Sequence, residues 1–390
     1  MIRSVFFIFS FSVFFITVVY LCDVSYLFHG IRCTYLRGES SAQIDDNVFF
    51  HTRDVSAKKP FDIPFSKNYT DLDLSDSLEL VLKKSKSVAF LVVKNDSVLV
   101  EKYWGDGNQG SLTNSFSMAK SIVSLLVGSA IKEGYISDVN QSVFDFLPEL
   151  SPFKGHDVTI KHLLEMSSGF DWLENYKRPI SVTAKAYYGS NLKDLVLNRG
   201  FVSPPGKNYV YNSGNTQLLG ILLERATGKS VSSFASDFLW SKIGAKNDAT
   251  WTLDYNGGIE KTFCCFNGTA RDFSKIGLVM LKGGVSVSGE DVLSSDYIEW
   301  LLTVPFLNNP EKKGEVVDFY SNGWWHAEVL EKKVFYARGF LGQYVVVIPD
   351  LNLVFVRLGK YENEKTEKNN DYNLTDNLLF FIKHVILNFS

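Results

Sequence analysis

The chain has 390 residues, a formal net charge of −3, 45% hydrophobic and 14% aromatic residues. That length buries one large core or two smaller ones. The near-neutral balance, with no basic excess or stripe, argues against a nucleic-acid partner, and no repeat of fixed period is visible.

In chain order, Ser4 to Cys22 carries no charge over 19 residues. As a helix it would span roughly 28 Å, close to the hydrocarbon thickness of a bilayer. Arg3 before it and Asp23 after it put the N-terminus in the cytoplasm and the rest outside. The rival reading is a cleaved signal peptide, which needs small residues before the cut that "VVYLC" lacks. Residues 1–25 are therefore expected to be a membrane anchor or signal segment. The catalytic part would then be extracytoplasmic (periplasmic or extracellular), or secreted if the segment is cleaved.

Residues 26–73 are mixed and polar and read as an extended lead-in. "LSDSLELVLKKSKS" (74–87) predicts a helix, and "VAFLVVKNDSVLVEKYW" (88–104) a β-hairpin turning at Asn95-Asp96. An apolar helix begins near Ser117 and ends at Gly134. Roughly 135–255 reads as a mostly helical lobe. Trp324-Trp325, Val334–Ala337, Tyr344–Ile348 and Leu353–Leu358 read as late strands. The charged run "KYENEKTEKNND" (360–371) precedes a final helix at 375–389, too short to cross a membrane. Early and late strands must share one antiparallel sheet. The expected fold is α+β in two lobes, a sheet flanked by helices plus a helical lobe, with a cleft between them. Four cysteines make no disulfide framework at this length. Cys264 and Cys265 are adjacent and read as small buried apolar residues. No His/Cys spacing suggests zinc, so no metal and no cofactor are expected.

The candidate chemistry lies at "NSFSMAKSIVSLLVGSA" (114–130). Ser-x-x-Lys occurs at five places, beginning at Ser56, Ser117, Ser129, Ser151 and Ser190, so the spacing alone means little. Ser117 differs by context. Three residues apart on a helix, Ser117 and Lys120 face the same way. Burial disfavours an ammonium, which makes a buried lysine a candidate base. A helix start also offers free N–H groups to a developing anion. The plain alternative is that Ser117 caps the helix and Lys120 reaches water. A second signal is "YVYNSGNTQLLGILLERATGKS" (209–230), where Tyr211 precedes a helix and is placed to relay a proton. A third is "ARGFLGQYVVVIP" (337–349), where two glycines at a strand edge allow close approach and an N–H completes an oxyanion hole.

Together these resemble the serine β-lactamase and penicillin-binding superfamily over roughly residues 75–390. Within it the chain resembles the class C and esterase branch, and most of all the 6-aminohexanoate-oligomer hydrolases. Further support comes from "IKHLLEMSSGFDW" and "NGTARDFSKIGLVMLKGG". The resemblance implies one hydrolase domain over 74–390. Ser117 would be the nucleophile, Lys120 and Tyr211 its partners, and the backbone N–H groups of Ser117 and Phe340 the oxyanion hole. Ser213 stands where the family places Asn, and Ala337 where it places Lys or His, so the β-lactam-gripping side chains are missing. Asn212, Ser213, Asn267 and Gly339 are candidate substrate contacts, with turn residues as the plain reading of the two asparagines. The expected activity is a serine hydrolase acting on a small ester, amide or peptide-like substrate through an acyl-enzyme. The alternative is a membrane-anchored penicillin-binding-type sensor, or a D-alanyl peptidase or β-lactamase with slow turnover.

Overall fold

The computed structural model describes residues 17, 19, 23–67, 69, 74–312, 314–362 and 374–389. Most of the apolar stretch 4–22, and most of the charged run 360–371, lie outside them. Among the described residues no helix is long and apolar enough to cross a membrane.

The larger sheet follows from the strand signals. Strands β2 (Ser87–Lys94) and β3 (Ser97–Tyr103) form the early hairpin. Asn95 and Asp96 both take positive φ, 50° and 59°, the twist a two-residue hairpin turn requires. The late strands are β7 (Tyr320–Ser321), β8 (Trp324–Val329), β9 (Lys332–Gly339), β10 (Gln343–Ile348) and β11 (Leu353–Gly359). The order is β3-β2-β11-β10-β9-β8-β7, so the last strand lies between the first hairpin and the other late strands. Every pairing is antiparallel.

Alternation divides the side chains between two faces. Leu91, Val93, Val345 and Val356 join the core around helix α3 (Met118–Lys132). Phe90, Val92, Val346 and Phe355 pack with α2 (Asp76–Lys84) and α11 (Asp376–Asn388), which supply Leu78, Leu82, Phe381 and Ile382. Helix α9 (Ala270–Leu281) lies on the α3 side. A Cβ at its Gly277 would stand 2.7 Å from Val354, so the helix needs glycine there to reach the sheet.

The segment read as an extended lead-in is not extended throughout. It contains helix α1 (Tyr26–Cys33) and strand β1 (Thr52–Val55). β1 opens a second sheet with β4 (Thr113–Asn114), β5 (Ala249–Thr252) and β6 (Phe266–Gly268), in the order β1-β5-β6-β4. These strands are two to four residues long, too short for an alternating pattern to stand out.

Between 135 and 255 lie α4 (Ile160–Leu164), α5 (Val182–Tyr188), α6 (Leu192–Leu197), α7 (Ser213–Thr227) and α8 (Val231–Ala235). The reading of Cys264 and Cys265 as two free apolar residues needs correction. They are buried, but bonded to each other. Cys265 takes φ 69°.

Candidate active site

β4 and β6 set the position of Ser117. Thr113 and Asn114 pair with Gly268 and Asn267, and the Ser115 N–H donates to the Phe266 carbonyl at 2.8 Å. Phe116 then takes φ 46°, a left-handed conformation costly for a bulky residue. Its N–H donates to Asn114 Oδ1 at 2.9 Å. This turn delivers Ser117 as the first residue of the α3 entry.

Ser117 does not cap the helix with its side chain. Its Oγ accepts a hydrogen bond from Lys120 Nζ at 3.1 Å. Lys120 is only 3% exposed, and it also donates to Ser213 Oγ at 3.2 Å and the Phe263 carbonyl at 2.9 Å. The picture of a capping serine and a solvated lysine fails on both residues. Tyr211 lies beside them, its ring 5.0 Å from Lys120 Nζ and 5.7 Å from the Trp325 ring.

Ser213, read from the sequence as the place of a missing amide, is a junction. As first residue of α7 its N–H donates to Glu174 Oε2 at 2.7 Å, and its Oγ donates to Glu174 Oε1 at 3.0 Å. A carboxylate at a helix start is well placed electrostatically. Glu174 also accepts from Trp172 Nε1 at 2.9 Å, and the Tyr176 hydroxyl lies within hydrogen-bonding reach of it. A chain of polar contacts thus runs from Ser117 through Lys120 and Ser213 to Glu174. Sequence reasoning missed Glu174 and Tyr176. The only signal was a pair of carboxylates, Asp171 and Glu174, in the loop "FDWLENY".

The third motif lies where the glycines allow. A Cβ on Gly339 would stand 2.1 Å from the Ser115 carbonyl, so only glycine brings β9 this close to the Ser117 turn. Phe340 follows. Leu341 and Gly342 after it both take positive φ, 61° and 78°, and the buried Arg357 of β11 donates to their carbonyls at 2.8 and 2.7 Å. Burial pushes the Arg357 guanidinium down to about 10.

Two cavities meet at Ser117, with Tyr176 and Phe340 bordering both and stacked 6.3 Å apart. One, of about 220 Å³, extends toward α1 and α5. The other, of about 210 Å³, is lined by Tyr211, Trp325, Arg338, Gly339 and Glu362. The substrate contacts expected of Asn212 and Asn267 are not what their amides do. Asn212 caps α7 by accepting from Asn215 N–H at 2.8 Å, and Asn267 donates to Thr250 within the small sheet at 3.2 Å. Neither borders these two cavities. Ala337 is buried in the α3-side core. Among the described residues no cluster of His, Cys, Asp and Glu is arranged to hold a metal ion.

Comparisons with known proteins identify relatives of the chain. A family model described as Beta-lactamase matches residues 79–377. A 6-aminohexanoate-dimer hydrolase of Paenarthrobacter ureafaciens is 28% identical over 309 residues, 74% of this chain and 76% of that protein. Among solved structures, one assigned as a 6-aminohexanoate-dimer hydrolase of Bacillus anthracis superposes with a TM-score of 0.71. It is 22% identical and covers 88% of this chain and 93% of its own. A family VIII carboxylesterase gives 0.61 at 19% identity, over 83% and 98%. At these identities the structures speak to the fold alone.

Proposed function

The chain belongs to the Beta-lactamase family, and from that premise we propose that it is a serine hydrolase cleaving esters or linear amides through an acyl-enzyme on Ser117. The observation that carries this is the 3.1 Å bond from a 3%-exposed lysine to the Ser117 hydroxyl. Substrate places its carbonyl oxygen toward the backbone N–H groups of Ser117 and Phe340. Ser117 Oγ attacks the carbonyl carbon, and its proton passes along the 3.1 Å contact to Lys120 Nζ. Tyr211, beside Lys120 and facing the second cavity, passes a proton to the leaving oxygen or nitrogen as that bond breaks. Water then attacks the acyl ester, giving up a proton along the same path, and frees the acid and Ser117. Ser213 and Glu174 hold the lysine in register.

An ester or linear amide is favoured over a β-lactam because Ala337 offers no cation to the β-lactam carboxylate. The experiment is a panel of chromogenic esters, linear amides and a cephalosporin, with fluorophosphonate labelling of the full chain and of Ser117→Ala. The expected result is labelling lost in the variant and ester turnover well above cephalosporin turnover. Equal labelling of both proteins removes the nucleophile assignment, and faster cephalosporin cleavage removes the substrate reading.

We also propose that residues 4–22 anchor the chain with this site outside the cytoplasm. The support is their lack of charge between Arg3 and Asp23. Release of the full chain from membranes by a high-salt wash would count against it, because apolar burial is not screened by salt.

A further inference from the structure

We infer that the cavity on the α1 side is an acyl-chain site, with α1 as its outer wall, for esters or amides of unbranched apolar acids of medium length. This rests on Ser117 being the acylated residue. The cavity borders Ser117 and Phe340, whose N–H groups would hold the carbonyl oxygen, and it also borders Ser213 and Tyr176 beside Glu174. Its walls include Leu27, Ile31 and Tyr35 on one side and Tyr187 and Tyr188 on the other. No carboxylate lines it, and the two cations that border it, Lys177 and Arg178, are solvent-exposed.

α1 is tied down as a wall must be. The Tyr26 hydroxyl donates to the Pro179 carbonyl at 3.1 Å. The two His29 ring nitrogens lie 3.0 and 3.1 Å from the Tyr188 and Phe49 carbonyls. The helix also lies against the Tyr188 ring at Gly30, where a Cβ would make ordinary contact at 3.4 Å. Such fixings are surplus for a tether but necessary for a surface that must fit a ligand. A methylene is about the size of one water's ≈ 30 Å³ share of the liquid, so about 220 Å³ admits roughly seven such groups.

The absence of a carboxylate makes a sharper statement. An ω-ammonium on the acyl chain would lose its hydration in this cavity and find no counter-charge. A hexanoyl group is therefore preferred over a 6-aminohexanoyl group of the same length.

The test uses the full chain and p-nitrophenyl esters of acetate, butanoate, hexanoate, octanoate and 6-aminohexanoate. Burying each methylene should raise kcat/KM roughly fourfold, so octanoate, with four more methylenes than butanoate, should exceed it by at least tenfold once two of them are buried. Hexanoate should exceed 6-aminohexanoate by a similar factor. Ile31→Asp should cut the octanoate-to-butanoate ratio at least fivefold. Independently of turnover, octanoate should raise the melting temperature of the parent more than that of Ile31→Asp. A flat or falling chain-length profile with Ser117 still labelled by fluorophosphonate overturns the acyl-chain site alone. Equal labelling of the parent and Ser117→Ala overturns the nucleophile, and the octanoate melting shift then decides the cavity by itself: its absence overturns the site.

Discussion

Lys120 and Lys261 are both withdrawn from water, at 3% and 0% exposure, yet they are surrounded by different chemistry. Two of the three acceptors of Lys120 are hydroxyls, Ser117 and Ser213. Lys261 donates to the Tyr187 carbonyl and lies 4.2 Å from the centre of the Phe50 ring. A hydroxyl both accepts and gives a proton, whereas a carbonyl and a ring face only accept a hydrogen bond. Burial alone therefore does not make a lysine a base. It needs neighbours able to carry a proton away. Lys261 instead ties the N-terminal segment, through Phe50, to the interior.

The largest expected separation between the two is in turnover. Lys120→Ala should lower ester kcat/KM by about 10²–10⁴, while Lys261→Met should stay within about tenfold of the parent because a buried ammonium replaced by an apolar group of similar length is often near neutral. Comparable losses in the two variants would abolish the distinction. Tyr211→Phe belongs with Lys120→Ala, and the double variant should lose less than the product of the single losses, since they serve one proton path.

A smaller effect sharpens the role of the hydroxyl neighbours. Ser213→Ala removes one acceptor from Lys120 and one donor from Glu174. It should lower kcat roughly 10- to 100-fold, the scale of a hydrogen bond to a charged group, with KM moving less. A change confined to KM would make Ser213 a substrate contact only.

A separate effect, on stability, reads Lys261 alone. Burial lowers its ammonium from 10.5 to about 7. Between those values the unfolded chain binds the proton and the folded chain does not. Stability from this group therefore rises with pH from about 7 toward 10.5 and is lost as pH falls back through that window. The urea midpoint of Lys261→Met should show a shallower rise across that range than the parent. Parallel profiles would mean that the lysine is not the group responsible.

Much of this was legible in the sequence where a local rule and the tertiary demand coincide. Asn95-Asp96 suits the hairpin turn by chemistry alone, and the late strands were legible as short apolar or aromatic runs because the sheet is covered on both faces. Ser117 and Lys120 were legible because a lysine in an apolar helix requires an explanation. The rest depended on distance. Glu174 reaches Ser213 across 39 residues, and no spacing rule joins a loop acid to a helix start. α1 owes its place to bonds with Tyr188 and Pro179, far along the chain. The Cys264–Cys265 bond is one that adjacency in sequence argues against. Ser213 was read by what it lacks as an amide, whereas its contribution lies in what a hydroxyl connects.

The position of β11 has a consequence for synthesis. Until the ribosome has released Leu353–Gly359, β2 and β10 expose unpaired edges, and a nascent chain in that state is open to pairing with its neighbours. β11 also brings Arg357, which secures the turn after Phe340. The half of the proposed oxyanion hole carried by that turn is therefore secured late, and a chain truncated before β11 would have its serine and lysine but lack that support.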